Sequence, residues 1–185
     1  MPSGSSDREI LLRLRKREPG AFDEVYRTYH ERIWRFLYRL AGSIPAAEDL
    51  FQDTWLAAAR NADRLREDTE LLPWLYTIAR NKYRNGLRFA AFERQRLAAV
   101  EEQHAAVDSL ADDATDFRHK TEAFARALAR LPDVHREVLV LHFIEGLETE
   151  QVARVLGLRP DAVRKRLSRA RAELIRWVEG SGKWP

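Results

Sequence analysis

Apolar side chains recur at three- and four-residue steps along most of the chain, and no segment shows convincing strand-like alternation of apolar and polar residues. This spacing places the apolar side chains on one side of an α-helix. The stretch 22–40 is typical, and its apolar stripe consists of Phe22, Val25, Tyr26, Tyr29, Ile33, Leu37 and Leu40. It predicts an amphipathic helix with an aromatic-rich buried face. Gly42 and Pro45 interrupt the pattern and predict the end of that helix.

Two further helices are predicted in the first half of the chain. The segment AAEDLFQDTWLAAAR, residues 46–60, has an apolar face and a polar face, since steps of four bring helical residues together. The polar face holds Glu48, Asp49, Gln52 and Asp53. A polar stretch over 61–72 precedes a helix that begins near Pro73, where proline suits the first helical turn. An arginine stripe on this helix holds Arg80, Arg84 and Arg88.

The composition changes between residues 101 and 116, where six acids occur without a lysine or arginine. We therefore expect 93–120 to form a flexible acidic linker. The linker is either a solvated tether or a segment that mimics nucleic acid and follows a basic channel. The predicted fold is all-α, with two small helical domains, 1–92 and 121–185, on either side of this linker.

The C-terminal domain has the pattern of a helix-turn-helix. Pro132 begins an apolar helix that Gly146 ends, and a short helix is predicted over about 149–156. Gly157 is expected to end that helix in the left-handed conformation. A longer helix follows from about 161 to 178, and its buried face is predicted to hold Val163, Leu167, Ala170 and Leu174.

The exposed side of this last helix predicts DNA binding. Residues 159–171 include six basic side chains and one acid. The basic residues are Arg159, Arg164, Lys165, Arg166, Arg169 and Arg171. In the major groove arginine can pair with guanine, and lysine can neutralise phosphate. The alternative is a solvated basic helix on an ordinary bundle.

The helix predicted over 73–91 combines charge with amides and aromatic rings. Its polar candidates are Arg80, Asn81, Lys82, Arg84, Asn85 and Arg88, and its rings are Trp74, Tyr76 and Tyr83. Positive charge follows a nucleic-acid backbone, while aromatic and amide groups can hold unstacked bases. The alternative is that the rings belong to the core and the arginines are solvated.

The overall charge and the counts of cysteine and histidine limit the classes of protein to which the chain can belong. The chain has 32 basic and 29 acidic residues and a net charge of +3, so the arrangement of charge matters more than its sum. The lack of cysteine excludes disulfides and thiolate sites and fits a cytoplasmic location. No apolar run approaches the roughly 20 residues that span a bilayer, and we see no secretion signal. The five histidines show no metal-binding spacing, so we expect neither a metal nor a cofactor.

Three segments in order resemble a known family. They are AEDLFQDTWLAAAR, WLYTIARNKYRNGLR and LARLPDVHREVLVLHFIEGLETEQVARVLGLRPDAVRKRLSRARAEL. These segments resemble bacterial RNA polymerase sigma factors of the extracytoplasmic-function (ECF) group of the sigma-70 family. The resemblance extends over about 20–92 and 121–178.

The resemblance implies promoter recognition and strand opening as a dissociable subunit of core RNA polymerase, without catalysis. The clamp coiled coil of the polymerase would contact Asp49, Gln52 and Asp53. The promoter −10 element would contact the loop 61–72 and Arg80, Asn81, Lys82, Arg84, Asn85 and Arg88. The −35 element would contact Arg159, Asp161, Arg164, Lys165, Ser168 and Arg169. An anti-sigma factor is an expected further partner, and insertion of this chain into a membrane is not expected.

Two positions depart from the family pattern. Glu148 stands where such factors often have serine, so we expect Thr149 to cap the short helix. Asp161 and Ala162 replace a frequent glycine-threonine pair. We expect Asp161 to cap the last helix, and a hydrogen bond from cytosine N4 is the alternative role.

Two other functions remain as alternatives. One is a stand-alone helix-turn-helix regulator whose N-terminal domain senses a ligand or dimerises. The other is a nucleic-acid hydrolase, which would need clustered carboxylates and a metal.

Overall fold

The computed structural model describes residues 4–97 and 127–180, and every regular element in these two ranges is helical. The N-terminal half contains α1 (Gly4–Arg15), α2 (Ala21–Ala41), α3 (Ile44–Asn61), a 3-10 turn (Ala62–Arg64) and α4 (Leu71–Leu97). In the C-terminal half, residues 127–130 are helical. They precede α5 (Asp133–Leu139), a π-helical turn (Val140–Ile144), α6 (Thr149–Leu156) and α7 (Pro160–Gly180). The all-α prediction is confirmed.

Helix α2 is the centre of the N-terminal half. Its buried face holds Ala21, Val25, Tyr29, Ile33, Phe36, Leu37 and Leu40. The apolar spacing predicts five of these residues, but of the other predicted residues Phe22 is only partly buried and Tyr26 is exposed. Helices α3 and α4 pack against it. The rings of Phe36 and Tyr76 meet edge to face with 4.8 Å between their centroids, a favoured aromatic geometry.

Helix α1 lies outside the helices predicted from the sequence. Its buried residues, Ile10, Leu11 and Leu14, join the same core as α2. The Tyr29 hydroxyl donates a hydrogen bond to Asp7 Oδ1 at 2.7 Å. The spacing of the three apolar residues carries a helical signal, but it is only one turn long and is therefore weak.

The helix-turn-helix geometry is confirmed for α6 and α7. Gly157 ends α6 with a φ of +64°, and the Leu158 N–H donates to the Ala153 carbonyl at 2.9 Å. The expectation that Thr149 caps α6 is wrong. Glu148 is the capping residue, and it forms a capping box in which the Glu148 N–H donates to Gln151 Oε1 at 3.0 Å.

The two halves pack against each other. Helix α4 contacts α6, and α2 contacts both α5 and the π-helical turn. Buried apolar residues from both halves form one cluster. Helix α4 continues to Leu97, beyond the predicted domain boundary at residue 92. Most of the predicted linker, residues 98–120, lies outside the described ranges.

The backbone conformations of Gly157 and Gly86 predict that alanine substitution has opposite effects on stability at the two positions. A β-carbon at Gly157 or Gly86 would meet no atom within 4 Å, so only the backbone differs. Gly157→Ala should lower the free energy of unfolding by about 1–2 kcal/mol because of its left-handed backbone. Gly86→Ala, within α4, should raise it by about 0.5–1 kcal/mol. Urea unfolding of the two variants provides the measurement, and a change of the same sign in both would contradict this account.

Candidate nucleic-acid interface

The exposed side of α7 carries the whole set of candidates predicted for that helix. Val163 and Ala170 are buried, and Leu167 and Leu174 pack partly against the core. The candidates are all exposed, namely Arg159, Asp161, Arg164, Lys165, Ser168 and Arg169. Because the apolar side faces inward, this basic face is accessible to a large ligand such as a duplex.

The expectation that Asp161 caps α7 is wrong. The helix begins at Pro160, and the Val163 N–H donates to the Arg159 carbonyl at 3.2 Å. Arg159 therefore occupies the capping position, since proline is favoured as the first helical residue. The Asp161 carboxylate instead accepts a hydrogen bond from Arg164 Nη1 at 2.5 Å. Its negative charge remains favourable in the first helical turn.

The candidates on α4 differ in their exposure. Asn81, Asn85 and Arg88 are exposed. Arg80 and Arg84 point toward the C-terminal half, where Arg80 Nε lies 3.0 Å from Glu137 Oε2 and Arg84 Nη1 lies 3.5 Å from Glu137 Oε1. The Glu137 side chain is 0% exposed. A buried carboxylate requires such partners, because an unpaired charge in the interior is very costly.

A second carboxylate, Glu145, meets a different set of groups from the N-terminal half. Its oxygens lie 3.1 Å from Arg39 Nη1 and 3.6 Å from Arg32 Nε. The Tyr76 hydroxyl donates to Glu145 Oε2 at 2.5 Å. Arg32 Nη2 also donates to the Glu145 backbone carbonyl at 2.6 Å. The π-helical turn places this residue, because the Glu145 N–H donates to the Val140 carbonyl at 2.9 Å.

Neither Glu137 nor Glu145 is among the residues predicted from the sequence. Each stands in or beside the apolar run from Val138 to Ile144, which is an unusual place for a carboxylate. That position is a signal of a buried ion pair, but the spacing along the chain does not identify the partners.

The tyrosines of α4 belong to the core, as the alternative interpretation of this helix expects of its rings. That interpretation also expects solvated arginines, but Arg80 and Arg84 are paired with the buried Glu137. Tyr76 is 0% and Tyr83 is 5% exposed. Tyr83 donates a hydrogen bond to Asp133 Oδ1 at 2.8 Å, which links the two halves again. Burial raises the pKa of both hydroxyls, and the neighbouring carboxylates Glu145 and Asp133 raise it further. Both groups therefore remain protonated hydrogen-bond donors. Trp74 is half-buried against the same core.

Ion pairs attach the loop between α3 and α4 to its surroundings. Arg15 Nη1 lies 2.6 Å from Glu67 Oε1, and Arg17 pairs with Asp63. At the other end, Glu70 accepts hydrogen bonds from Gln151 and Arg154 of α6. The loop thus joins α1 to the C-terminal half.

The predicted polymerase contacts lie on the exposed surface of α3. Asp49, Gln52 and Asp53 are all exposed. Lys82 Nζ lies 3.1 Å from Asp53 Oδ2, so one candidate of α4 is paired with one of α3. An aromatic cluster reaches the protein surface beside Gln52. Within it the ring centroids of Tyr26 and Trp55 lie 4.8 Å apart. The buried Trp55 Nε1 has no hydrogen-bond partner among the residues that the structure describes.

Within 4–97 and 127–180 no group of histidine, cysteine and carboxylate side chains has the arrangement of a metal site. His135 Nδ1 lies 2.6 Å from Glu173 Oε2, and His142 Nδ1 lies 2.8 Å from the Leu147 carbonyl oxygen. Over those same ranges, no helix combines the length and apolar character that crossing a membrane requires.

Comparison with known proteins identifies the class. Residues 25–92 match the family model for sigma-70 region 2, and residues 121–174 match that for sigma-70 region 4. CarQ, an RNA polymerase sigma factor of Myxococcus xanthus, is 33% identical over 167 residues, which are 89% of this chain and 92% of CarQ. SigM, an ECF RNA polymerase sigma factor of Mycobacterium tuberculosis, is 32% identical over 171 residues, or 92% of this chain and 84% of SigM.

Two solved structures share the fold. The sigma factor RpoE of Bartonella quintana, in complex with the anti-sigma factor NepR, has a TM-score of 0.73 at 26% identity and covers 86% of this chain and 98% of its own. CnrH, in complex with the cytosolic domain of CnrY, has a TM-score of 0.70 at 27% identity. The match covers 94% of this chain and 97% of the CnrH chain. The chain belongs to the ECF group of sigma-70 RNA polymerase sigma factors. This membership disfavours a stand-alone regulator, because region 2 accounts for the N-terminal half.

The contact between Arg17 and Asp63 predicts a specific change in the pKa of Asp63 when Arg17 is replaced. The hydrogen bond from Arg17 lowers the pKa of Asp63 below its usual value, and Arg66 has the same effect on Asp68. Arg17→Gln should therefore raise the pKa of Asp63 toward the ordinary range, as measured by NMR titration of the carboxyl carbons. The contribution of this pair to stability is present above the unfolded-state pKa and is lost as pH falls through the folded-state pKa.

Arg66→Gln provides the control for this titration. It should raise the pKa of Asp68 and leave that of Asp63 unchanged. A pKa of Asp63 that does not respond to Arg17→Gln would show that the pair between Arg17 and Asp63 does not form in solution.

Proposed function

We propose that this sigma factor recognises promoters at two elements, with residues 121–185 binding the −35 element and residues 1–92 binding core RNA polymerase and the −10 element. The observation that carries the proposal is the exposed basic face of α7 in a helix-turn-helix that matches sigma-70 region 4. In such a motif the second helix enters the major groove. The side chains proposed to contact it are Arg159, Asp161, Arg164, Lys165, Ser168 and Arg169.

The −10 contact is assigned to α4 and to the loop that precedes it. Its proposed residues are Arg80, Asn81, Lys82, Arg84, Asn85 and Arg88. Captured single-stranded bases supply free energy for strand opening, because stacking contributes about 1–3 kcal/mol per base against an unstacking cost of a few kcal/mol. The protein itself catalyses no reaction in this scheme, in keeping with sigma factors in general, which are non-catalytic DNA-binding regulators.

The polymerase contact is assigned to the exposed α3 residues Asp49, Gln52 and Asp53, which would meet the clamp coiled coil. We place the protein in the cytoplasm, where the polymerase works. An anti-sigma partner is also proposed, and the support is the solved complex of the related RpoE with the anti-sigma factor NepR. Run-off transcription from genomic promoters with purified core polymerase tests the function, and failure to direct any specific start site would overturn it.

The −35 assignment predicts the effect of a double substitution on α7. Arg164→Ala with Lys165→Ala should weaken binding to −35 duplex DNA by about 1–3 kcal/mol for each base-specific hydrogen bond that is removed, while binding to core polymerase persists. Fluorescence anisotropy at fixed salt measures the first quantity, because phosphate contacts depend strongly on salt. Arg176→Ala, an exposed arginine farther along α7, is the matched control and should have little effect. Loss of polymerase binding in the double variant would contradict the division of roles between the domains.

The polymerase assignment predicts the reverse pattern for α3. Substituting Asp49, Gln52 and Asp53 together by alanine should abolish or greatly reduce capture of core polymerase in a pull-down, because these side chains form the proposed contact. Binding of the isolated −35 duplex should not change, since the three substituted side chains are exposed on α3 and the basic face of α7 is left intact. Glu31→Ala, an exposed acid of α2, is the control for loss of negative charge. Full polymerase capture by the triple variant would refute the assignment.

A further inference from the structure

The surface proposed to meet the −10 element is partly covered by the protein's own C-terminal half. Arg80 and Arg84 retain only 15% and 30% exposure of their side chains, because both contact the buried Glu137. The exposed candidates of the same helix are Asn81, Asn85 and Arg88. A DNA strand approaching α4 would therefore find its two innermost cations already occupied.

Glu137 is well suited to hold those cations. A carboxylate and a phosphate offer guanidinium groups the same kind of charge-assisted hydrogen bond. Glu137 presents both of its oxygens, one to each arginine. Its side chain therefore takes the place that a phosphate would take on this part of α4.

A second set of contacts extends the same interface. Glu145 receives Arg32, Arg39 and the Tyr76 hydroxyl. Arg136 Nη1 donates to the Leu40 carbonyl at 2.9 Å, at the C-terminal end of α2, where cations are favoured. The interface thus combines two buried carboxylates with a capped helix end, and it closes over a continuous apolar cluster.

We infer that the C-terminal half carries an interaction surface for the −10 face of the N-terminal half, centred on Glu137 and Glu145, and that this contact and −10 DNA binding exclude each other. The inference rests on the proposed assignment of Arg80 and Arg84 to the −10 element. The basic face of α7 stays exposed in the closed arrangement. The closed protein can therefore offer its −35 surface, whereas the −10 surface becomes complete, with Arg80 and Arg84 free, only after the halves separate.

The closed arrangement can be tested by a distance measurement between the halves. The chain has no cysteine, so Ala59→Cys and Arg176→Cys give two unique sites for spin labels on exposed positions of α3 and α7. Double electron–electron resonance on the free protein should give one narrow distance distribution. Glu137→Gln with Glu145→Gln should broaden and lengthen it, because four arginines lose their anionic partners.

The second arm of the experiment measures binding of a labelled single-stranded oligonucleotide pool of random sequence. The affinity of a protein for a ligand is reduced by the fraction that is in the competent state. We therefore expect the variant Glu137→Gln with Glu145→Gln to bind the pool about tenfold more tightly than the unsubstituted protein. The face of α7 is exposed in both states, so its contribution cancels in this comparison.

Two further variants make the outcomes distinct. Arg80→Gln with Arg84→Gln breaks the Glu137 contact from the other side, and should broaden the distance distribution while binding the pool no more tightly than the unsubstituted protein. Glu173→Gln removes a carboxylate paired within the C-terminal half, and should leave both readouts unchanged. Circular dichroism verifies that each variant keeps its helical content.

An unchanged distance distribution in the variant Glu137→Gln with Glu145→Gln would overturn the inference. So would a broadened distribution without any gain in single-strand affinity, since binding would then not compete with the closed contact. A broadened distribution in both double variants with equally tightened binding would confirm the interface, but would refute the assignment of Arg80 and Arg84 to the −10 element.

Discussion

The arrangement of the two halves depends on the compensation of buried negative charge. Glu137 is fully buried and Glu145 nearly so, and the arginines that pair with them among the described residues belong to the N-terminal half. A carboxylate removed from water is tolerated only when opposite charges and hydrogen bonds surround it. Such pairs add little net stability compared with apolar contacts, but they penalise packed orientations of the halves that would leave a carboxylate buried without its partner. The apolar cluster supplies the attraction, and the two glutamates select the geometry.

The need for charge compensation differs between the two basic helices, α7 and α4. On α7 the basic side chains point to solvent because the apolar side, with Val163 and Ala170, is buried. Helix α4 packs against α2 and α3 and also against the C-terminal half. Positive charge near the contact with the C-terminal half must therefore be neutralised within the protein. The same chemistry that suits a guanidinium group to DNA also suits it to an internal carboxylate.

The sequence predicted the helices and the outward face of α7 correctly where the signal is local and long. The buried stripe of α2 and the end of α6 at Gly157 follow from helical periodicity and from the left-handed conformation that glycine allows. The predictions failed where the sequence signal is short or where neighbouring residues compete for the same role. Helix α1 has only a single turn of apolar residues. The capping role expected of Thr149 belongs to Glu148. The capping role expected of Asp161 is excluded because α7 begins at Pro160.

By itself the amino-acid sequence determined the all-α class, the helix-turn-helix and the membership of the sigma-factor family, because each is encoded in spacing that neighbouring residues share along the chain. Only the tertiary structure decided that Arg80 and Arg84 meet Glu137, which lies 57 and 53 positions away along the chain. Arg88, on the same stripe of α4, remains exposed. Periodicity shows which side of a helix is polar, but the partner of a charged side chain depends on how distant segments pack, and that is decided by burial and charge compensation in the folded chain.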